Sequence, residues 1–283
     1  MFHVKQYEAM KIKDHSVSGE SFTLVYDKER QMYHTSPKPS PEKLPSYYQS
    51  EDYISHTDGK RSLFEKLYQL VKGITLSRKQ QLLTSYLPSK GNLLDIGTGT
   101  GDFPAYLKKT NWNVQGIEPD SGARDLAIKK GVAVASSLKE VSGEFDVITM
   151  WHVLEHVYDL DEQLIWLKNH LEKNGFLFVA VPNFESKDAQ HYGKYWAAYD
   201  VPRHLYHFSE KAIQDLFAEK GLKLVDKHPM VFDAYYVSLL SEKYQNGKIN
   251  FIKAFLNGWK SNRFAKKTGK YSSLIYVLRH IEA

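Results

Sequence analysis

Residues 93–101, Leu-Leu-Asp-Ile-Gly-Thr-Gly-Thr-Gly, and then Gly116-Ile-Glu-Pro-Asp120 decide how this chain folds. The apolar run Leu93, Leu94, Ile96 reads as a buried parallel strand. The glycines at 97, 99 and 101 make a turn without Cβ atoms, which lets a ligand approach the backbone closely. A second strand, Trp112 to Ile117, leads into the acidic Glu118. A carboxylate at that strand tip can accept both hydroxyl hydrogens of a ribose. The pair describes a nucleoside-binding βαβ unit.

The turn departs from the dinucleotide fingerprint G-x-G-x-x-G, because Asp102 stands where the last glycine belongs. Its pattern is D-x-G-x-G-x-G, with Asp95 inside the first strand. That pattern resembles the S-adenosylmethionine (SAM) site of class I methyltransferases. The resemblance implies a cofactor held by Asp95, Gly97, Thr98, Gly99, Gly101, Glu118, Pro119, Ser137 and Trp151. It implies S-adenosylhomocysteine (SAH) as the product.

Alternating elements surround the motif. Helical periodicity covers 62–87, and Pro88-Ser-Lys-Gly91 closes it. Strands are expected at 92–96, 112–118, 132–135, 145–150 and 176–181, with helices near 101–109, 120–130 and 159–173. Leu222 to Asp226 and Met230 to Leu239 are expected to supply the last two strands. Such alternation predicts an α/β fold, a parallel sheet with helices on both faces. The resemblance adds the order 3-2-1-4-5-7-6, a seven-stranded Rossmann-like sheet with an antiparallel last strand. The domain is placed at 61–241, with an insertion at 184–208. A leader or cap occupies 1–60 and a basic helical tail 242–283.

Trp151-His-Val-Leu-Glu-His156 follows the fourth strand, and open α/β sheets bind ligands at the carboxyl ends of strands. His152-x-x-Glu155-His156 also spells the zinc motif H-x-x-E-H. That motif needs a continuous helix, and here it straddles a strand end, so the zinc reading is rejected. The stretch is similar to ubiquinone-pathway O-methyltransferases, in which an acid in place of His152, a Glu and a His help bind a divalent cation. His152 removes a carboxylate from such a site, and hard cations prefer oxygen ligands; no metal is expected. Glu155 and His156 can instead orient the loop.

Asp200-Val-Pro-Arg-His-Leu-Tyr-His-Phe-Ser209 is the second constellation. It follows an aromatic-rich insertion containing Tyr192, Tyr195, Trp196 and Tyr199. Such a loop can lid an acceptor pocket. Arg203 can clamp an anion, and His204 or His207 can take a proton from the acceptor. In the competing reading Arg203 locks onto Asp200 while Ser209 caps the next helix. The candidate catalytic residues are His152, His156, Arg203 and His204.

Together these motifs resemble a bacterial subgroup of SAM-dependent methyltransferases near the type 23 methyltransferase domain. The leader takes part: Val17-Ser-Gly-Glu-Ser-Phe22, Pro37 to Pro41, and Tyr47-Tyr-x-x-x-x-Tyr53-x-x-His56. Relatives often carry a cysteine zinc knuckle there, which this chain lacks. The resemblance implies that Tyr53 and His56 cap the cofactor.

Composition bounds the rest. The chain has 283 residues, 42% hydrophobic, with no cysteine and a net charge of +5. Disulfides and thiolate metal sites are excluded, and no apolar run is long enough to span a bilayer. The first residues lack a signal core, so a cytoplasmic protein is expected. Nine Lys/Arg against two acids give residues 242–283 a charge of +7 and leave the body near −2. A body without a basic surface argues against nucleic acid as a partner. Phe251, Ile252, Phe255, Leu256 and Trp259 share one helical face among lysines, and Leu274 to Leu278 adds apolar residues. A basic amphipathic segment over 251–278 suits peripheral contact with an anionic membrane, or else packs on the core or a second subunit. The chain is expected to act as a monomer or homodimer.

The expected activity is methyl transfer from SAM to O or N of a small-molecule or glycan acceptor. The alternative is a SAM-binding protein that docks on a membrane or complex through its tail.

Overall fold

The computed structural model describes residues 9–48 and 63–282, with side chains given from 71 onward in the first long helix. Tyr53 and His56 lie outside the described residues. In chain order the strands are β1 (Met10–Lys13), β2 (Ser21–Asp27), β3 (Met32–Ser36), β4 (Asn92–Ile96), β5 (Asn113–Ile117), β6 (Ala133–Ala135), β7 (Phe145–Trp151), β8 (Leu171–Pro182), β9 (Tyr206–Phe208), β10 (Leu222–Pro229) and β11 (Ser273–His280). The α-helices are α1 (Leu63–Tyr86), α2 (Asp102–Lys108), α3 (Ser121–Lys129), α4 (Leu160–His170), α5 (Lys187–Tyr192), α6 (Glu210–Glu219), α7 (Asp233–Asn246) and α8 (Phe251–Thr268).

Seven strands form one sheet in the order β10-β11-β8-β7-β4-β5-β6. The five from β8 to β6 are parallel, and β11 runs antiparallel between β8 and β10. Central strands buried on both faces read as continuous apolar runs rather than alternating ones. Leu93 and Leu94 therefore point into opposite layers. Leu94, Ile96, Ile148 and Met150 meet Leu164, Leu167 and Phe217 on one side. Leu93, Val147, Phe178 and Val277 meet Leu83, Phe103 and Trp112 on the other.

The expected order is present, but its seventh strand comes from a different stretch. Met230 to Leu239 is not a strand; α7 begins at Asp233 and buries Ala234, Val237, Ser238 and Ser241 at helical spacing. A short apolar run does not by itself distinguish a strand from a buried helix. The strand is Ser-Leu-Ile-Tyr-Val-Leu-Arg-His at 273–280, in which the first six residues are all buried. The segment 242–283 thus contributes an interior strand to the sheet and is not separable from it.

The leader and the insertion form one further unit. Strands β1, β2, β3 and β9 make a four-stranded sheet, with β3 antiparallel to β9. Its core joins Ile12, Phe22, Leu24, Tyr33 and Tyr47 of the leader to Tyr192, Trp196, Tyr199 and Val201 of the insertion. The aromatic side chains of 192–199 mostly fill this core rather than line an open pocket. Trp196 shows the reason: its indole N–H donates to the buried Asp188 carboxylate at 2.8 Å, fixing the ring inward.

Candidate active site

Strand β4 delivers Asp95 and the glycine turn to the carboxyl edge of the sheet, and β5 delivers Glu118 beside it. Gly97, Gly99 and Gly101 have φ of +72°, +56° and +77°, in the left-handed region that favours glycine. Their surroundings differ. A Cβ on Gly97 would lie 2.4 Å from Val153, and one on Gly101 would lie 2.6 Å from Ala127. A Cβ on Gly99 would meet nothing within 4 Å. Two glycines thus serve packing, and the middle one faces free space. The Glu118 carboxylate accepts from Gly99 N–H at 2.7 Å and from Asp120 N–H at 3.0 Å. Arg124 holds the Glu118 and Pro119 carbonyls at 2.7 and 2.9 Å.

Asp95 lies beneath the turn. Its carboxylate accepts from Thr149 Oγ1 at 2.6 Å and Thr98 Oγ1 at 2.9 Å. Burial pushes its pKa up to about 6, against those two donors and the Lys79 charge. Thr98 points inward and fastens the turn to Asp95, which is a supporting role. Ser137 follows β6 on the same edge, where Glu118 N–H bonds the Ala135 carbonyl at 3.0 Å.

Helix α1 adds a cation that the sequence motifs did not reveal. Lys79 Nζ sits 4.1 Å from the Trp151 ring and 5.4 Å from Phe103, whose rings meet edge to face. Burial pulls its pKa down to about 8, although Asp95 and Asp233 attract the charge. No acceptor bonds this ammonium among the described residues. Trp151 itself keeps a buried indole N–H without a partner.

Strand β7 ends at Trp151, and His152 follows with φ +57°. That turn places the imidazole between two acids: Nδ1 lies 3.3 Å from Glu155 and Nε2 lies 3.0 Å from Asp233, the first residue of α7. Burial opposes the charged form, but the two carboxylates outweigh it and push the pKa up to about 10. His152 is therefore a fixed cation at neutral pH, a hydrogen-bond donor rather than a base.

His156 is its opposite. Burial and the neighbouring His204 push its pKa down to about 4. Its Nδ1 lies 3.0 Å from the Arg203 carbonyl, so Nδ1 carries the proton and Nε2 is bare. His204 places its Nδ1 2.9 Å from the Ala198 carbonyl and its Nε2 3.9 Å from the Asp200 carboxylate. The two rings meet edge to face at 4.5 Å. Ligand atoms of Glu155, His156 and His204 lie within 4.8 Å of one another. One oxygen of the buried Glu155 carboxylate has no hydrogen-bond partner. This set fits a divalent cation of the kind that accepts two imidazoles and a carboxylate. The sequence led to no expected metal, because His152 stands in place of a ligating carboxylate; the structure turns His152 towards Asp233 and sets His204 beside Glu155 and His156. A cation held there would acidify a hydroxyl bound to it.

The model of a methyltransferase domain, type 23, matches residues 62–227, more than half of the chain. The chain belongs to the methyltransferase-domain family. Members of that family depend on SAM. A ubiquinone biosynthesis O-methyltransferase from Rickettsia prowazekii is 24% identical over 161 residues, 51% of this chain and 64% of that enzyme. The match thus spans just under two thirds of the relative. Among solved structures, the 1,6-didemethyltoxoflavin N1-methyltransferase of Burkholderia thailandensis, with SAH bound, superposes with TM-score 0.52 at 15% identity, covering 95% of this chain and 99% of that one. Magnesium protoporphyrin IX methyltransferase from Synechocystis, also with SAH, gives 0.56 at 13%, covering 84% and 98%. These likenesses show the fold.

Within this methyltransferase domain, two residues singled out for catalysis serve the frame instead. Arg203 bonds both oxygens of Asp200 at 3.0 and 2.6 Å, Asp14 at 3.1 Å and the Tyr47 carbonyl at 2.8 Å, and also reaches Ser16. Its guanidinium is buried and every one of its nitrogens already has a partner in the frame, so it is not presented to a substrate anion. It locks the insertion to the leader. His207 bonds Thr35 Oγ1 at 3.2 Å, and burial pushes its pKa well below the usual value. Ser209 caps α6, accepting from Ala212 N–H at 3.0 Å.

Proposed function

We propose that the protein transfers a methyl group from SAM to an acidic oxygen, a phenol-type hydroxyl, of a small-molecule acceptor. The supporting observation is the pairing of a cation, His152, with the imidazoles of His156 and His204, beside the glycine turn. On the donor side, Glu118 would exchange its bond to Gly99 for the ribose hydroxyls. Gly99 leaves room for the cofactor, and the Lys79 ammonium is placed to receive its carboxylate.

The remaining chemistry is positional. In-line displacement at a sulfonium needs the acceptor atom aligned behind the methyl carbon, and alignment supplies much of the rate. The acceptor proton must also leave. Nε2 of His204 can take it, and the His152 cation, held between Glu155 and Asp233, can stabilise the developing oxygen anion through its charge. The kinship with ubiquinone-pathway O-methyltransferases favours oxygen over nitrogen.

The test is transfer from methyl-tritiated SAM into a panel of catechols, phenols, carboxylates and primary amines. Label in the phenolic members supports the reading. Label confined to amines, or SAH formation with none of them, counts against it.

A further inference from the structure

Helix α8 is built inside out. Its buried stripe is Ala254, Gly258, Ser261 and Ala265, all small. A Cβ on Gly258 would lie 2.7 Å from the Tyr235 ring and 3.0 Å from the Ala234 carbonyl, so α8 crosses α7 closely. Ser261 Oγ donates to the buried Asp188. The large residues face outward instead: Ile252 is 75% exposed, Phe251 60%, Phe255 59%, Leu256 44% and Trp259 43%. At about 100° per residue these five span an arc of roughly 140°. Lys253, Lys260 and Lys267 flank one edge, while Arg263 and Lys266 continue the face towards the C-terminal end. The helix contains no acidic residue.

We propose that this face lies on an anionic lipid bilayer, with the aromatic and aliphatic side chains in the headgroup–acyl boundary and the cationic side chains on lipid phosphates. Bulky apolar residues with Trp on one side and Lys/Arg beside them suit that interface. A second copy of the chain fits poorly. A two-fold interface would set the same five cations against themselves with no acid from the helix to pair them. A polyanion such as nucleic acid would leave the apolar side chains in water. Docking here also sits beside the site, because Asn262 Nδ2 holds the Val231 carbonyl at 2.8 Å, two residues before Asp233.

Vesicle co-sedimentation of the full-length chain tests this. Vesicles of equimolar phosphatidylglycerol and phosphatidylcholine should bind it at least about tenfold better than pure phosphatidylcholine. The variant Phe251→Ser/Ile252→Ser/Leu256→Ser and the variant Lys260→Gln/Arg263→Gln/Lys267→Gln should each lose about tenfold in partition, with unchanged thermal unfolding. Three outcomes overturn the proposal. One is equal partition onto neutral and anionic vesicles. A second is full binding by the serine variant, which would mean charge adsorption alone. The third is no vesicle binding together with a sedimentation-velocity dimer that the serine variant converts to monomer.

Discussion

Glu118 Oε2 accepts the Gly99 backbone N–H at 2.7 Å, so the tip of β5 and the apex of the glycine turn already touch. Ribose hydroxyls would replace that contact. Glu118→Ala should therefore weaken SAH binding by about ten- to a hundredfold, the range for a lost charge-assisted hydrogen bond. Calorimetry reads it directly; an unchanged Kd would place the ribose elsewhere.

Lys79 should make cofactor binding pH-dependent. Its pKa in the free protein is pulled down to about 8, so the ammonium is present below pH 8 and lost above it. A carboxylate ligand favours the protonated form, and SAH affinity should fall as pH rises through 8. Lys79→Met should cost roughly tenfold at pH 7 and flatten the difference between pH 7 and pH 9. A variant with the wild-type pH slope would show that the cofactor's own amine sets it.

Asp233→Asn removes one of the two acids that hold His152 charged. It touches neither the glycine turn nor Glu118. SAH affinity should fall by no more than a fewfold, through a weaker hold on the Lys79 charge, while methyl transfer falls about ten- to a hundredfold, the range for a lost charge-assisted hydrogen bond. Equal losses in binding and turnover would mean that Asp233 only supports the fold.

The Asp14–Arg203 pair should set acid stability. Backbone and side-chain bonds from Ser18, with the Arg203 charge, outweigh burial and lower the Asp14 pKa from 3.8 to about 2. A depressed carboxyl pKa stabilises the fold above the unfolded value and loses that contribution as pH falls from about 4 to about 2. The full contribution is about 2 kcal/mol. Asp14→Asn should lower the melting temperature at pH 7, and the gap from wild type should narrow as pH approaches 2. A gap that persists at low pH would assign the loss to packing.

Removing residues 242–283 should unfold the chain rather than free a tail, because β11 pairs with both β8 and β10. Circular dichroism of the truncated chain should show lost sheet and no cooperative melt; a folded product would mean that the sheet closes without β11.

Leu93 to Gly101 and Glu118 were legible because a buried parallel strand, a glycine turn and a strand-tip acid are local patterns. Ser273 to His280 was not. Its apolar run sits among lysines, and only pairing with strands distant in sequence makes it a central strand. Lys79 was hidden for a similar reason, since nothing in its own helix announces Trp151 and Asp95. Arg203 carried both readings in its sequence neighbourhood. The choice was made by Asp14 and Tyr47, far away in the leader, which hold its guanidinium in the frame.

The central claim is that the glycine turn carries the methyl donor. Gly99→Val tests it most directly, because its Cβ would enter the open space above the turn with no other atom within 4 Å. The left-handed φ of +56° adds a strain of about 1–2 kcal/mol, which a folded domain tolerates. Calorimetric titration with SAH should give micromolar binding to wild type and none to a Gly99→Val protein that still melts cooperatively. Wild-type affinity in that folded variant would contradict the account.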